Sequence, residues 1–330
     1  MIDEKKEDDQ RLIWVLKDER AGTGNQALGV ADALGSDYQI KELVLAPHGR
    51  LPNFLLGASL RAITQKSRGQ IIAPWPDLVI SVGRRAASVA LHIKRQSGMR
   101  SFVCHIMYPG PGPATKLDLL AVPSHDQLVG SNILSITGAP NRITSRLLAD
   151  ARSRWKNQFG KFNRPVLGLI VGGATKRIPF GIHEAEQLAS QIKGQFGASG
   201  GSVIVTTSRR TGKTTDTLFE KLKLLNCAPI YFHRWINSGE NPYFGILAYS
   251  DELVVTGDSI SMLSDACAAP GTVYIYNPGK CSSTKHLRFH EELYALGAAR
   301  PLGSRMKDWR SVQFNSAEDI AMQIKSRLGW

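Results

Sequence analysis

The stretch richest in groups that could do chemistry is Thr256-Gly257-Asp258-Ser259-Ile260-Ser261-Met262-Leu263-Ser264-Asp265. An apolar run ends at Thr256, a glycine turn follows and a helical pattern begins. Ser259 or Ser261 would cap that helix, and its first free N–H groups would face an anion such as a phosphate. Asp265 lies four residues beyond Ser261, one helical turn along, where a carboxylate would accept hydrogen bonds from the two hydroxyls of a ribose. Taken alone it reads equally as a solvated helix acid. Gly257, Asp258 and Met262 belong to the same candidate site.

Two further loops of the second half carry cations beside glycines. Ser208-Arg209-Arg210-Thr211-Gly212-Lys213-Thr214 lies between a strand and a helix as a P-loop would, but Thr207 stands where the first glycine of that motif belongs. Without that glycine the loop wraps a β-phosphate poorly, which argues against an NTPase and leaves an anion-binding loop. Gly172-Gly173-Ala174-Thr175-Lys176-Arg177 combines close backbone approach with two cations; a plain turn is the alternative.

In the first half, Gly22-x-Gly24-x-x-Ala27 formally matches the dinucleotide fingerprint. A true fingerprint starts tightly against its strand and has an acid closing the second strand. Here four residues separate Lys17 from Gly22, and the second strand runs out at Leu45-Ala46-Pro47. The loop therefore reads as a phosphate or sugar site using Gly22, Gly24, Asn25 and Gln26, or as a flexible turn with Asn25 as the cap. Asp18 precedes it. Ser124-His125-Asp126 and His105 close two other strands; His125, Asp126 or Asp18 would supply a general base, with a capping or structural pair as the bland alternative.

Something must hold these loops at strand ends. Strands are expected at 12–17, 39–46, 77–83, 101–108, 117–123 and 132–138, with helices at 25–34, 53–67 and 84–97. After an Arg-rich helical stretch at 144–158, the pattern restarts. Strands follow at 166–171, 202–207, 228–233, 252–256 and 272–277, with helices at 183–196, 214–224, 242–249 and 261–269. A last helix at 317–328 has no readable docking site. Runs of about six residues rich in Val, Ile and Leu are those of strands covered on both faces, so the chain reads as two doubly wound α/β domains in tandem. The expected division is 1–158, 159–300 and a tail of 301–330. The first domain's polar strand ends would face the second domain's loops across a cleft.

The 330 residues suffice for two domains with cores of their own, and 42% hydrophobic and 21% charged residues exclude wholesale disorder and fibrous repeats. No apolar run reaches the roughly 18 residues of a spanning helix, and the acidic start suits no export presequence, so the expected location is the cytoplasm. Cys104, Cys227, Cys267 and Cys281 form no C-x-x-C pair and read as reduced thiols. The net charge is +13, with 18 basic against 14 acidic residues before position 151 and 23 against 14 after it. That excess suits an anionic partner: a nucleic acid, an acidic membrane face or a phosphorylated small molecule.

Residues 241–251 (Asn-Pro-Tyr-Phe-Gly-Ile-Leu-Ala-Tyr-Ser-Asp), 255–267 and 208–211 (Ser-Arg-Arg-Thr) resemble the mitochondrial fission family typified by the plant elongated-mitochondria protein. The likeness continues through 24–29, 123–126, 137–143 and 170–176, in order and across both halves. It implies a GT-B-like architecture: two Rossmann-like domains facing a cleft, with a nucleotide-diphosphate sugar held mainly by the C-terminal one. A more distant similarity, through the Pro-Asp-Leu-Val-Ile-Ser-Val-Gly strand at 76–83, is to the peptidoglycan N-acetylglucosaminyltransferases, whose acceptor is a lipid diphosphate. One departure is Met107-Tyr108-Pro109-Gly110-Pro111, where the plant family has a His-Pro-Arg-like stretch.

The expected function is thus an inverting glycosyltransferase with no metal and no cofactor beyond its donor substrate. Asp126, His125 or Asp18 would be the base. Gly172, Gly173, Thr175, Lys176, Ser208, Arg209, Arg210, Thr211, Gly257, Asp258, Ser259, Ser261, Met262 and Asp265 would hold the donor, and Gly22, Gly24, Asn25, Gln26 and His105 the acceptor. No Asp-x-Asp motif is present, so cations and helix dipoles would steady the leaving diphosphate. A lipid-linked acceptor would bring the chain to the inner, anionic face of a membrane; no nucleic-acid partner is expected. The alternative is an adaptor that has lost catalysis and binds a dynamin-like GTPase, as the resemblance implies for the plant relative.

Overall fold

The computed structural model describes residues 11–18, 21–51, 53–175, 179–224, 231–235, 239–277, 283–304 and 308–330. Two compact units divide the chain: unit 1 takes 1–136, 140–142 and 316–330, and unit 2 takes 137–139 and 143–315.

Unit 1 carries six strands, β1 (Ile13–Asp18), β2 (Gln39–Leu43), β3 (Leu78–Val82), β4 (Phe102–Ile106), β5 (Leu119–Pro123) and β6 (Ile133–Ile136). They form one parallel sheet in the order β2-β1-β3-β4-β5-β6. Its helices are α1 (Ala21–Leu34), α2 (Asn53–Leu56), α3 (Gln65–Arg68), α4 (Arg84–Gln96) and α5 (Pro111–Ala114). Alternate residues of each strand feed two cores. Val15, Ile80, Cys104 and Ala121 pack under α1, and Trp14, Val79, Val103 and Leu120 pack under α4. This is what strands apolar on both faces require.

Unit 2 repeats the scheme with β7 (Val166–Val171), β8 (Ser202–Thr207), β9 (Tyr231–His233), β10 (Glu252–Thr256), β11 (Thr272–Tyr276) and β12 (Arg300–Pro301). Its helices are α6 (Ser145–Arg154), α7 (Lys156–Phe159), α8 (Ile182–Phe196), α9 (Thr214–Leu224), α10 (Tyr243–Tyr249), α11 (Ile260–Ala268) and α12 (Thr284–Ala295). The parallel sheet runs β12-β11-β10-β7-β8-β9. The chain therefore starts at the centre, winds out to β9, returns to β10 and winds out the other way. The strand order reverses between β7 and β10, and at such a switch point two neighbouring loops diverge and leave a crevice. In unit 1 the corresponding reversal lies between β1 and β3.

The last helix, α13 (Ser316–Leu328), returns to unit 1. Ala317, Ile320, Ala321 and Ile324 recur at helical spacing and are buried in the core that also contains Val30, Ala31 and Leu34 of α1. Ile320→Val, which deletes one buried methyl group there, should lower unit 1 stability by about 0.5–1.5 kcal/mol in urea denaturation. An unchanged midpoint would mean that α13 contributes nothing to this core.

Several expected boundaries shift for physical reasons. The contact division falls at 137–143, where the sequence reading has 158, because α6 packs on α10. Ala151 shares a core with Ile246 and Tyr249, and Arg152 donates to Ala248 O at 2.7 Å with its guanidinium 4.6 Å from the Tyr249 ring centroid. The helix expected at 53–67 is two short pieces, since Gly57 adopts φ +53° and ends α2, and Leu45 pairs with Ile63 in between. α12 has no counterpart among the expected helices. No helix among the described residues is long and apolar enough to cross a membrane. Cys104 and Cys267 are buried free thiols; Cys227 and Cys281 lie outside the described residues.

Candidate functional site

The best-built constellation sits at the switch point of unit 2. The loop after β7 opens with Gly172, whose N–H donates to Thr256 Oγ1 of β10 at 2.8 Å. That bond ties the two diverging loops together at their roots. A Cβ on Gly172 would lie 2.3 Å from Asp258 Oδ2, so only glycine lets the Asp258 carboxylate lie against the backbone here. Gly173 follows at φ +107°, and a Cβ on it would sit 2.5 Å from both Arg210 C and Thr211 N. The Gly-Gly pair thus exists to let three chain segments touch.

The loop after β8 supplies the third segment. Ser208 Oγ donates to Gly172 O, and Thr211 Oγ1 donates to the same carbonyl at 3.1 Å while accepting from Ser208 N at 3.0 Å. Both hydroxyls are therefore spent on backbone. Arg210 donates to Gly173 O at 3.2 Å and forms an ion pair with Asp258 Oδ2 at 2.5 Å. The Asp258 side chain is only 6% exposed, against 33% for Arg210, so the carboxylate is the buried partner. Arg209 is exposed and has no ion-pair partner among the described residues.

The turn after β10 is gripped from the other side by α12. His290 Nε2–H donates to Gly257 O at 3.0 Å, and a Cβ on Gly257 would meet His290 Cε1 at 2.5 Å. Burial pushes the His290 imidazole down to about 4, so it is neutral, and the carbonyl acceptor places its single N–H on Nε2. His286, one turn earlier, bonds the Asp258 backbone; burial lowers its pKa most, with Asp258 acting in the opposite sense. Ser283 Oγ lies 2.7 Å from His286 Nδ1 and caps α12. The sequence reading misses both histidines because it misses α12, although the Ser283 cap and the Phe289/Leu293 spacing were available signals.

From this turn α11 begins. Ser259 is its N-cap, accepting from Met262 N at 3.4 Å. Ser261 is half-buried in the first turn, and Met262 packs on the core beneath. Asp265, one turn further on, is half-buried and held: Tyr243 Oη donates to its Oδ2 at 2.9 Å. Burial raises the Asp265 carboxyl to about 7, partly offset by that hydrogen bond. By contrast, α8 has its N-terminal end occupied by its own acid, with Gly181 N donating to Glu184 Oε2 at 2.7 Å. An anion would therefore find the open helix start at α11.

Of the expected donor residues, Gly172, Gly173, Ser208, Arg210, Thr211, Gly257, Asp258, Ser259 and Met262 come together in one bonded network. Thr175 is half-buried further along the first loop, and Lys176 lies outside the described residues. A cavity of about 630 Å³ in the same unit lies at the opposite, amino-terminal ends of the strands, lined by Arg152, Asp251, Glu252 and Trp309 among others, and is remote from these loops.

The unit 1 candidates fare differently. Gly22, Gly24, Asn25 and Gln26 are not a loop but the opening turns of α1, which starts at Ala21 rather than 25. Asn25 therefore caps nothing. Gly24 is small because a Cβ would meet Lys17 Cγ at 3.0 Å, and Gln26 is buried. His105, expected to meet an acceptor, is fully buried in β4, with Ser81 Oγ 2.7 Å from its Nδ1, and burial pushes its pKa down to about 3. The parallel register that places Ser81 beside it makes it a core residue. Asp18 ends β1 half-buried. His125 is buried and Asp126 half-buried in a 3-10 turn at Ser124–Asp126, directly after β5.

A UDP-GlcNAc 2-epimerase from Methanocaldococcus jannaschii superposes with a TM-score of 0.55, covering 97% of this chain and all of that one at 12% identity. That likeness shows the fold: an α/β chain with two Rossmann-like doubly wound units, GT-B-like. In sequence, the Mitochondrial fission protein ELM1 of Arabidopsis thaliana is 26% identical over 306 residues, 84% of this chain and 70% of the plant protein. The Rickettsia prowazekii (strain Madrid E) chain named Uncharacterized protein RP120 is 27% identical over 96% of this chain and 98% of its own. The model of the Mitochondrial fission ELM1 family matches residues 21–328, nearly end to end, and the chain belongs to that family.

Proposed function

We propose that unit 2 binds a nucleotide-diphosphate sugar and that the chain transfers its sugar, without a metal ion, to an envelope or lipid-linked acceptor. The observation that carries this reading is the switch point, where the start of α11 and the Arg210 guanidinium belong to one bonded set of loops and the Asp265 carboxylate follows one turn along α11. The helix start and cations suit a diphosphate; the carboxylate one turn on suits a ribose. The fold neighbour's name supports the same substrate class, since a UDP-sugar is what that epimerase acts on.

In such a reaction the acceptor hydroxyl loses a proton as it attacks the anomeric carbon, and the diphosphate leaves with the bonding pair. Asp126, His125 and Asp18 stand as the candidate bases. Arg209 and Arg210, with the N–H groups of α11, would stabilise the charge growing on the leaving oxygen.

A thermal-shift screen of the full chain against UDP, GDP, CMP, ADP, their sugar conjugates and NAD(H) tests the class directly, because a ligand that binds only the folded state raises its stability. A selective shift with one nucleotide is the expected result. Asp265→Ala should then weaken that nucleotide by about 1–3 kcal/mol in calorimetry, the scale of losing hydrogen bonds to a charged acceptor. No shift with any nucleotide would sink the reading and favour the adaptor that binds a dynamin-like GTPase.

A further inference from the structure

Asp265 is held from outside its own helix. α10 opens at Tyr243, where Asn241 Oδ1 accepts from Tyr243 N at 3.0 Å and Pro242 O accepts from Ile246 N at 2.8 Å, so the first residue of the helix is fixed on both sides. The Tyr243 ring lies edge-on to Phe244, 5.7 Å between centroids, and packs on the core that contains Leu263 and Cys267 of α11. Its hydroxyl donates to Asp265 Oδ2 at 2.9 Å. One carboxylate oxygen is thereby engaged and tethered to α10. Oδ1 has no hydrogen bond among the described residues.

We propose that Tyr243 is a positioning residue of the nucleotide site, holding the Asp265 carboxylate so that its second oxygen receives the ribose hydroxyls, and that this pair sets both the preference for a ribonucleotide and the pH range of binding. The inference rests on the nucleotide reading of unit 2 and adds to it the device that gives the carboxylate its orientation. Two vicinal hydroxyls need an acceptor-only partner, and a carboxyl that swings or carries a proton serves them poorly.

The pH dependence follows with its sign. Burial lifts Asp265 to about 7 and the Tyr243 bond pulls it down; Tyr243 itself lies well above its ordinary value for the same burial and for the charge of Asp265. Tyr243 is the one titratable group among the described residues that acts on Asp265. Above that value the carboxylate accepts. Below it the proton must be expelled first, and affinity falls about tenfold per pH unit once well below the midpoint. Tyr243→Phe removes the bond that favours the ionised form, so the midpoint moves to higher pH. It also removes the tether on the carboxylate, so a preference of about tenfold for ribose over 2′-deoxyribose, the scale of one such hydrogen bond, shrinks toward none.

The test is calorimetric titration of the full chain with UDP, GDP, CDP and ADP and their 2′-deoxy forms between pH 5.5 and 8.5, for wild type, Tyr243→Phe and Asp265→Asn. Asp265→Asn keeps the volume, loses the titration and reports whatever the nucleotide's own phosphate contributes. The expected result is a wild-type midpoint near neutrality that rises in Tyr243→Phe, is missing in Asp265→Asn, and is accompanied by a reduced ribose preference. Wild type that binds a nucleotide while Tyr243→Phe matches it in midpoint and preference overturns the role of Tyr243 alone. Wild type that binds none of the four overturns the nucleotide reading and this inference with it.

Discussion

Gly173→Ala should lower the stability of unit 2 by about 3–5 kcal/mol and, with it, abolish the nucleotide binding proposed for this unit. Two costs combine. At φ +107° an L side chain is strained, worth about 1–3 kcal/mol, and the new Cβ would stand 2.5 Å from the backbone of both Arg210 and Thr211. Backbone atoms cannot swing aside as a side-chain end can, so the β8–α9 loop must move off the β7–α8 loop. That breaks the bonds from Ser208 and Thr211 to Gly172 O and from Ala174 N to Arg210 O. Gly22→Ala is the matching control. It lies inside α1, a Cβ there meets nothing within 4 Å, and alanine is the better helix former, so a gain of about 0.5–1 kcal/mol is expected. Urea unfolding of the two variants decides: equal midpoints would refute the view that the Gly172-Gly173 pair is there for loop contact.

That contrast also shows what a chain reveals before it folds. The strands were legible because their covering is written locally: β7 reads Val-Leu-Gly-Leu-Ile-Val and all six residues are buried. The switch-point loops were legible for the same reason, being the polar residues that follow such runs. What stayed hidden was every pairing between distant positions. Arg210 and Asp258 lie 48 residues apart, and both are placed by strands whose neighbourhood only the sheet order decides. The glycines of α1 looked like a loop because glycine is a poor helix former; the reason for Gly29 is a Cβ that would stand 2.3 Å from Asn141 O, a residue 112 positions later in the chain. His105 looked like a strand-end ligand and is core, because its partner Ser81 is set by register on the next strand. The family resemblance carried the two-unit fold further than the residues did alone, but it could not say that Ser208 and Thr211 spend their hydroxyls on backbone.

Asp258→Ala should cost unit 2 about 3 kcal/mol. Removing one member of a buried ion pair leaves the other charge without its counter-ion, a loss of about 3–5 kcal/mol when both are fully buried. The lower end applies because one-third of the Arg210 side chain remains open to water, which solvates the orphaned guanidinium. Asp258→Asn keeps an acceptor in place and should cost less. The variants also separate two roles for Arg210. On the proposed nucleotide reading, the Asp258 carboxylate fills in the free protein the place beside Arg210 that a phosphate would take. In Asp258→Ala that place is vacant, and a nucleoside diphosphate would then act as the missing counter-ion. The thermal shift it produces should be larger in the variant than in wild type, although the variant alone melts lower. A smaller shift in the variant would mean that Asp258 serves binding by holding Arg210 in position, and an unchanged melting temperature without nucleotide would mean that the pair contributes nothing to the fold.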